Sequence, residues 1–305
     1  PAAGEKGGAR RLLAKGALKI GRLRARPLEA SAVSTRMNVF TDRVRVDSYS
    51  MSVYGGTARG TMNVEYTAPR IPAQATALVS GVDFGRVMAA LGSGSKWTIT
   101  GTLEGGGSLS TALATDPLAT LSGTGTFVVR NGAIPGLDVK NTLVTIARIA
   151  QFVGPDVTKF RDFGGDFRIQ QQRIYSNALK LNAEDLFATG RGSSGFNRTL
   201  DYAGIADIKT SVFGQPQTQL GLSFLRSVFG GKVPESISDF NARVPFALKG
   251  TFDNPKFSTT GVPQITPLNS PAKPQPQQPG HNPPQIPGIP QLPIKLPPLP
   301  FPLGP

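Results

Sequence analysis

From Leu121 to Ile208 the chain alternates apolar and polar residues in short runs broken by Gly, Asn and Asp. That period of two predicts half-buried antiparallel strands, because successive strand side chains point to opposite faces. Phe127 and Val129 fall on one face, and Thr126, Val128 and Arg130 on the other. Phe167 and Ile169 repeat this against Asp166, Arg168 and Gln170. Arg130-Asn131-Gly132-Ala133 reads as a tight hairpin turn, since Asn and Gly accept the positive φ such turns need. One helix interrupts the strands: Val139, Leu143, Ile146, Ala150 and Val153 line one helical face, and Gly154-Pro155 stops it.

The pattern recurs. Phe127, Val129 and Ile134 have the same relative spacing as Phe167, Ile169 and Ile174, and as Met37, Val39 and Val44. The first and last sets in chain order stay in step beyond that, with Met51 matching Leu181 and Gly60 matching Gly190. A reused strand–turn–strand unit is the expectation. Successive strands are also predicted over Ala30–Tyr66, where Ala58, Gly60, Met62, Val64 and Tyr66 alternate with polar residues. A short helix follows, with Phe84, Val87, Met88 and Leu91 on one face and Gly92 at its end. Trp97, Ile99 and Leu103 read as a strand, Leu220, Phe224 and Val228 as a third short helix, and Val244, Phe246, Leu248 and Phe252 as a last strand.

The ends differ from the middle. Residues 1–26 carry Lys6, Arg10, Arg11, Lys15, Lys19, Arg22, Arg24 and Arg26 against Glu5 alone, which reads as a solvated linker; its charge also suits anionic lipid or nucleic acid. From Gly261 onward prolines crowd a stretch without acidic residues, as in LPIKLPPLPFPLGP, so a disordered or polyproline II tail is predicted. No apolar run approaches the roughly 18 residues that span a bilayer. The stretch therefore reads as a soluble piece of a longer chain, with a membrane anchor placed upstream.

Catalytic chemistry has few candidates. There is no cysteine, and the single histidine, His281, lies in the proline-rich tail, so no Ser-His-Asp, Cys-His or zinc-ligand arrangement forms. Carboxylate pairs such as Asp162 with Asp166 and Glu184 with Asp185 are what the solvated face of any β protein carries. Gly105-Gly106-Gly107 opens no helix and so makes no phosphate loop. Nucleic-acid binding needs aromatics exposed among cations, whereas Phe127, Phe167 and Phe246 alternate with polar residues and belong to the apolar face. No enzyme activity, metal, cofactor or nucleic acid is expected. Three short helices cannot cover the apolar face of so long a sheet. That face must meet either a second sheet, as in a sandwich, or something else that is greasy.

The stretches LSGTGTFVVRNGAIPGLDV, FGGDFRI, GRG followed by TLDYAGIADI, and VPFALKGTFDNPKF resemble the C-terminal region of AsmA-like proteins. The upstream LEASAVSTRMNVFTDRVRVDSYSMSVYGGTARGTMNVEY is similar to the part of that family that precedes it, so the resemblance covers roughly residues 28–260. One departure is a turn that usually carries Gly and here reads Gln170-Gln171-Gln172. The resemblance implies a protein tethered to the inner membrane of a diderm bacterium, projecting into the periplasm and related to bridge-like lipid-transfer proteins. It implies a mainly β fold: a long, curved antiparallel sheet forming an open groove or half-pipe, with about three short helices and a disordered tail. Segments are expected at 1–27 (basic leader or linker), 28–115 (β-groove), 116–260 (AsmA-like C-terminal β region) and 261–305 (tail). The implied floor, in contact with phospholipid acyl chains, comprises Phe127, Val129, Phe167, Ile169, Leu179, Leu181, Phe246 and Leu248. Envelope proteins are the partners expected for the tail. The alternatives are an assembly factor for outer-membrane proteins whose sheet edges bind client strands, a β-sandwich adhesion module, and an enzyme using two carboxylates.

Overall fold

A computed structural model describes residues 10–25, 28–90, 99–114, 116–146, 156–209 and 240–267. Every described strand belongs to one 14-stranded antiparallel sheet. In chain order these are β1 (Leu12–Ala25), β2 (Leu28–Phe40), β3 (Val44–Val53), β4 (Gly56–Val64), β5 (Pro72–Asp83), β6 (Thr100–Ala112) and β7 (Ser122–Pro135). They continue with β8 (Val157–Gln170), β9 (Arg173–Asn182), β10 (Leu186–Gly195), β11 (Thr199–Lys209), β12 (Phe240–Thr251), β13 (Asn254–Thr259) and β14 (Gln264–Pro267). Each strand from β1 to β13 pairs with the next in the chain, and the ends of the sheet do not meet. No second sheet stands opposite among the described residues, so the two-sheet sandwich is set aside.

The register explains how an uncharged row crosses one face. Directly paired residues point to the same side, and one row of pairs crosses the whole sheet. It runs Gly16, Met37, Val46, Met62, Ala75, Leu109, Gly123, Ile169, Ile174, Ser194, Leu200, Gly250 and Pro255, without a charged residue. The adjacent row, on the other face, begins Lys15, Asn38, Arg45, Asn63, Gln74, Ser110 and Ser122. A slip of one residue in any strand would exchange the two faces, so the alternation pins the register.

Four local expectations change. Asn131 does take a positive φ of 49°, but β7 continues through it: Arg130 pairs with Asp162 and Gly132 with Phe160. With a partner strand on either side, Asn131 makes a bulge rather than a hairpin turn. The basic leader is also largely strand. Ala14, Gly16, Leu18 and Ile20 alternate with Lys15, Ala17 and Lys19 and pair along β2, so Lys15 and Lys19 decorate one face of a strand instead of a linker, while Arg22 and Arg24 continue the other face beyond Ile20. The predicted tail begins late, because β14 pairs with β12 beyond Gly261. Pro245, which has no amide proton, sits in β12 where the edge passes from β13 to β14, and its carbonyl accepts the Thr260 amide at 3.1 Å. Finally, the glycine-free turn closes normally: Gln171 and Gln172 adopt φ of 51° and 57°, a two-residue connection that joins Gln170 to Arg173.

The repeat is real for two of its three copies. Val39 pairs with Val44 across the β2–β3 turn, as Ile169 pairs with Ile174 across the β8–β9 turn. The likeness extends to an irregularity. In β3–β4 the register shifts between the pairs Val46–Met62 and Tyr49–Gly60, and in β9–β10 between the equivalent pairs Ser176–Gly192 and Leu179–Gly190. Phe127, Val129 and Ile134 all lie within β7, so the middle copy is not a strand–turn–strand unit.

Two helices are described, α1 (Phe84–Ala90) and α2 (Val139–Ile146), and neither is long enough to cross a membrane. Asp83 caps α1 by accepting the Arg86 amide at 3.0 Å, and Asp138 caps α2 through the Asn141 amide at 2.9 Å. The predicted continuation of α2 past residue 146, the strand start at Trp97 and the helix at Leu220–Val228 lie outside the described residues. Both helices fall in connections at one end of the strands, whereas the two-residue β8–β9 turn belongs to the opposite end. α2 packs on β8, β12 and β13. On a flat sheet β8 and β13 would be about 24 Å apart, twice the width of a helix, so the sheet bends around α2. The main core is at this end, with Leu143 of α2 and Val129, Ile208 and Val244 of the sheet fully buried.

Candidate functional site

Next to α2 the apolar face is not filled. A cavity of about 530 Å³ lies on it, lined by residues from β6 to β13, by Phe84 and Met88 of α1 and by Val139 of α2. This is within the range of about 300–1,000 Å³ that holds small organic ligands. All but one of the eight floor residues expected from the sequence line it: Phe127, Phe167, Ile169, Leu179, Leu181, Phe246 and Leu248. The exception is Val129. Its side chain is 0% exposed in the core beside α2, so it offers a ligand no surface.

The cavity exists because bulky residues face glycines across the strands. Phe127 pairs with Gly105 and Gly165, Phe167 with Gly125, and Leu179 with Gly190, while Phe246 pairs with Gly204. A Cβ on Gly125 would stand 2.6 Å from the Phe167 ring, which therefore lies across the bare backbone of β7. Phe127 and Phe163 meet edge to face at 5.8 Å between ring centres, and Phe246 and Phe257 are tilted by 42° at 6.3 Å. Alternation alone pointed to the large residues. It missed Phe163, Ile174, Tyr202 and Phe257, although the in-strand glycines, which need bulky neighbours to cover them, were a signal for such partners.

The polar residues on the lining include Asp166, Ser176, Lys180, Thr189, Ser194 and Tyr202. Asp166 accepts hydrogen bonds from the Ala178 amide at 2.8 Å, the Asn177 amide at 3.0 Å and the Ser176 hydroxyl at 3.1 Å. Burial works to raise its pKa, but the Ala178 and Asn177 amides and the Ser176 hydroxyl outweigh it, and the carboxyl is held below its ordinary value. Asp166 thus secures the irregular stretch of β9. Asp162, its expected companion, instead pairs with Arg130 and Arg161. Burial raises the pKa of the Tyr202 phenol, which keeps it neutral on the lining.

The sequence profile of the AsmA family matches residues 10–179, more than half of the chain. The chain belongs to the AsmA family. The matched region starts at β1, so the basic strand is part of the family unit, and it ends in β9. The AsmA family is associated with the bacterial cell envelope. No curated protein and no solved structure matches the chain.

Proposed function

We propose that this AsmA protein is a non-enzymatic envelope protein that carries phospholipid between the inner and outer membranes, with acyl chains lying along an apolar groove formed by the curled sheet. The observation that carries the reading is the uncharged row of paired residues crossing β1 to β13 and opening into the cavity of about 530 Å³. An apolar face of that extent needs a greasy occupant, and among the described residues nothing but two short helices covers it. Each methylene taken from water contributes about 0.8 kcal/mol, so part of one chain suffices for useful retention. The contacts are spread along a row of similar side chains, which lets a lipid slide without a deep trap. Head groups stay in water and no reactive side chain is required. The protein is placed in the periplasm and tethered to the inner membrane by a segment upstream of these residues; the proline-rich tail is assigned to envelope partners.

The test is transfer of a fluorescent phospholipid between donor and acceptor vesicles by wild type and by Phe167→Asp. Phe167 is partly exposed on the lining, so a carboxylate there stays hydrated when the groove is empty but confronts an acyl chain when it is filled. Transfer should fall at least tenfold with little change in circular dichroism or melting. Val129→Asp, in the packed core, should instead unfold the protein by several kcal/mol. Wild-type transfer by a folded Phe167→Asp variant would overturn the groove reading.

A further inference from the structure

We propose that the β1 end of the sheet docks on an anionic membrane surface. Lys15 and Lys19 of β1 stand opposite Asn38 and Ser34 of β2, and Arg36 of β2 stands opposite Ala17, all on one face. Ser34 pairs with Ser50 and Ser50 with Arg59, so the row from Lys19 to Arg59 spans three strand intervals, about 14 Å. These four cations are exposed, and none pairs with a carboxylate among the described residues. The nearby acids are engaged elsewhere: Glu29 with Arg24, Asp42 with Arg10 and Arg43, and Asp47 with Arg45. Farther along the sheet, cross-strand cations do find carboxylates, as in Arg130 with Glu104 and Asp162, and Arg243 with Asp207. What marks this end is the clustering of four such cations on one face across neighbouring strands. Its charges lie within one or two Debye lengths of each other, about 8 Å at physiological salt, so their potentials add.

Charge alone would suit several anions; the leucines select a bilayer. Leu12, Leu13, Leu18 and Leu23 are 49%, 52%, 45% and 36% exposed in the same strand that carries the cations. A nucleic acid offers leucine nothing, whereas a membrane interface takes cations at its head groups and apolar side chains just beneath. The backbone of β1 would remain at head-group depth, where water satisfies its amides. For its purpose this docking rests on the lipid-carrying reading, since it sets one end of the apolar face against the bilayer from which chains would enter. The binding itself does not.

Flotation of the purified chain with vesicles tests it, comparing pure phosphatidylcholine with a mixture of phosphatidylcholine and phosphatidylglycerol. The chain should float with the anionic vesicles only and be released by high salt. Returning Lys15, Lys19, Arg36 and Arg59 to Ser should weaken binding roughly fivefold per cation, with unchanged circular dichroism. The single Arg59→Ser variant, remote from the leader, gives the same reading if the combined variant misfolds. Leu13→Ser with Leu18→Ser should weaken binding further on anionic vesicles. Equal binding to neutral vesicles, full binding by the Ser variants, or loss caused only by replacing Lys6, Arg10 and Arg11 would each overturn the proposal. A chain that floats but transfers no lipid refutes the proposed function and leaves this docking intact. One that transfers lipid yet ignores the anionic surface refutes the docking alone.

Discussion

Asp166 shows how a single side chain sustains a strand that the alternation alone would not hold. Its pKa in the folded protein lies below the ordinary value of 3.8, so its stabilising contribution is complete above that value and disappears as pH falls through the lower folded one. Asp166→Asn should therefore melt several degrees below wild type at pH 7, with the difference shrinking towards pH 2; an equal deficit at both pH values would contradict this. Gln171 and Gln172 pay for a left-handed turn that costs about 1–2 kcal/mol per residue outside glycine. Gln171→Asn with Gln172→Gly should raise stability by about 1 kcal/mol, or about 2–4 °C in Tm by calorimetry. Which residues face which side was legible at this scale, because a period of two leaves no other assignment. The role of a positive-φ residue was not: Asn131 suits a turn or a bulge equally, and only the presence of β6 and β8 on both sides decides for the bulge.

At the scale of elements, α2 is what turns a strip of strands into a bent one. Leu143 is 0% exposed between the helix and the sheet, and the Thr158 hydroxyl both receives the Val139 amide at 2.8 Å and donates to the Leu137 carbonyl at 2.7 Å. Leu143→Ala should cost about 2–5 kcal/mol in denaturant unfolding. A loss below 1 kcal/mol would mean that α2 does not hold the bend. The helix faces were readable from spacing, whereas the caps Asp83 and Asp138 went unread until the structure showed them. β1 was hidden by its own cations, which raised the polarity of a stretch whose apolar members already alternated. β14 was hidden by the prolines around it, since Pro263 and Pro267 mark a chain that pairs only at an edge. The floor residue Val129 was assigned to the right face, but the end of the strand that α2 covers cannot be read from that strand alone.

For the whole molecule, the central claim is that a sheet crossed by an uncharged row of pairs is a bed for acyl chains. The long row of pairs follows from strand periodicity repeated through a meander, and the two matching units at Met37–Gly60 and Phe167–Gly190 show the same bulge used twice to build it. Curling into a groove was an expectation of family resemblance, since no strand encodes the path of its distant neighbours. The most direct measurement is native mass spectrometry of the purified chain, followed by extraction and identification of any bound lipid. The account predicts phospholipid on the wild type and its loss from Phe167→Asp with the fold retained. A wild-type chain that is fully folded and lipid-free, even after incubation with phospholipid, would contradict it.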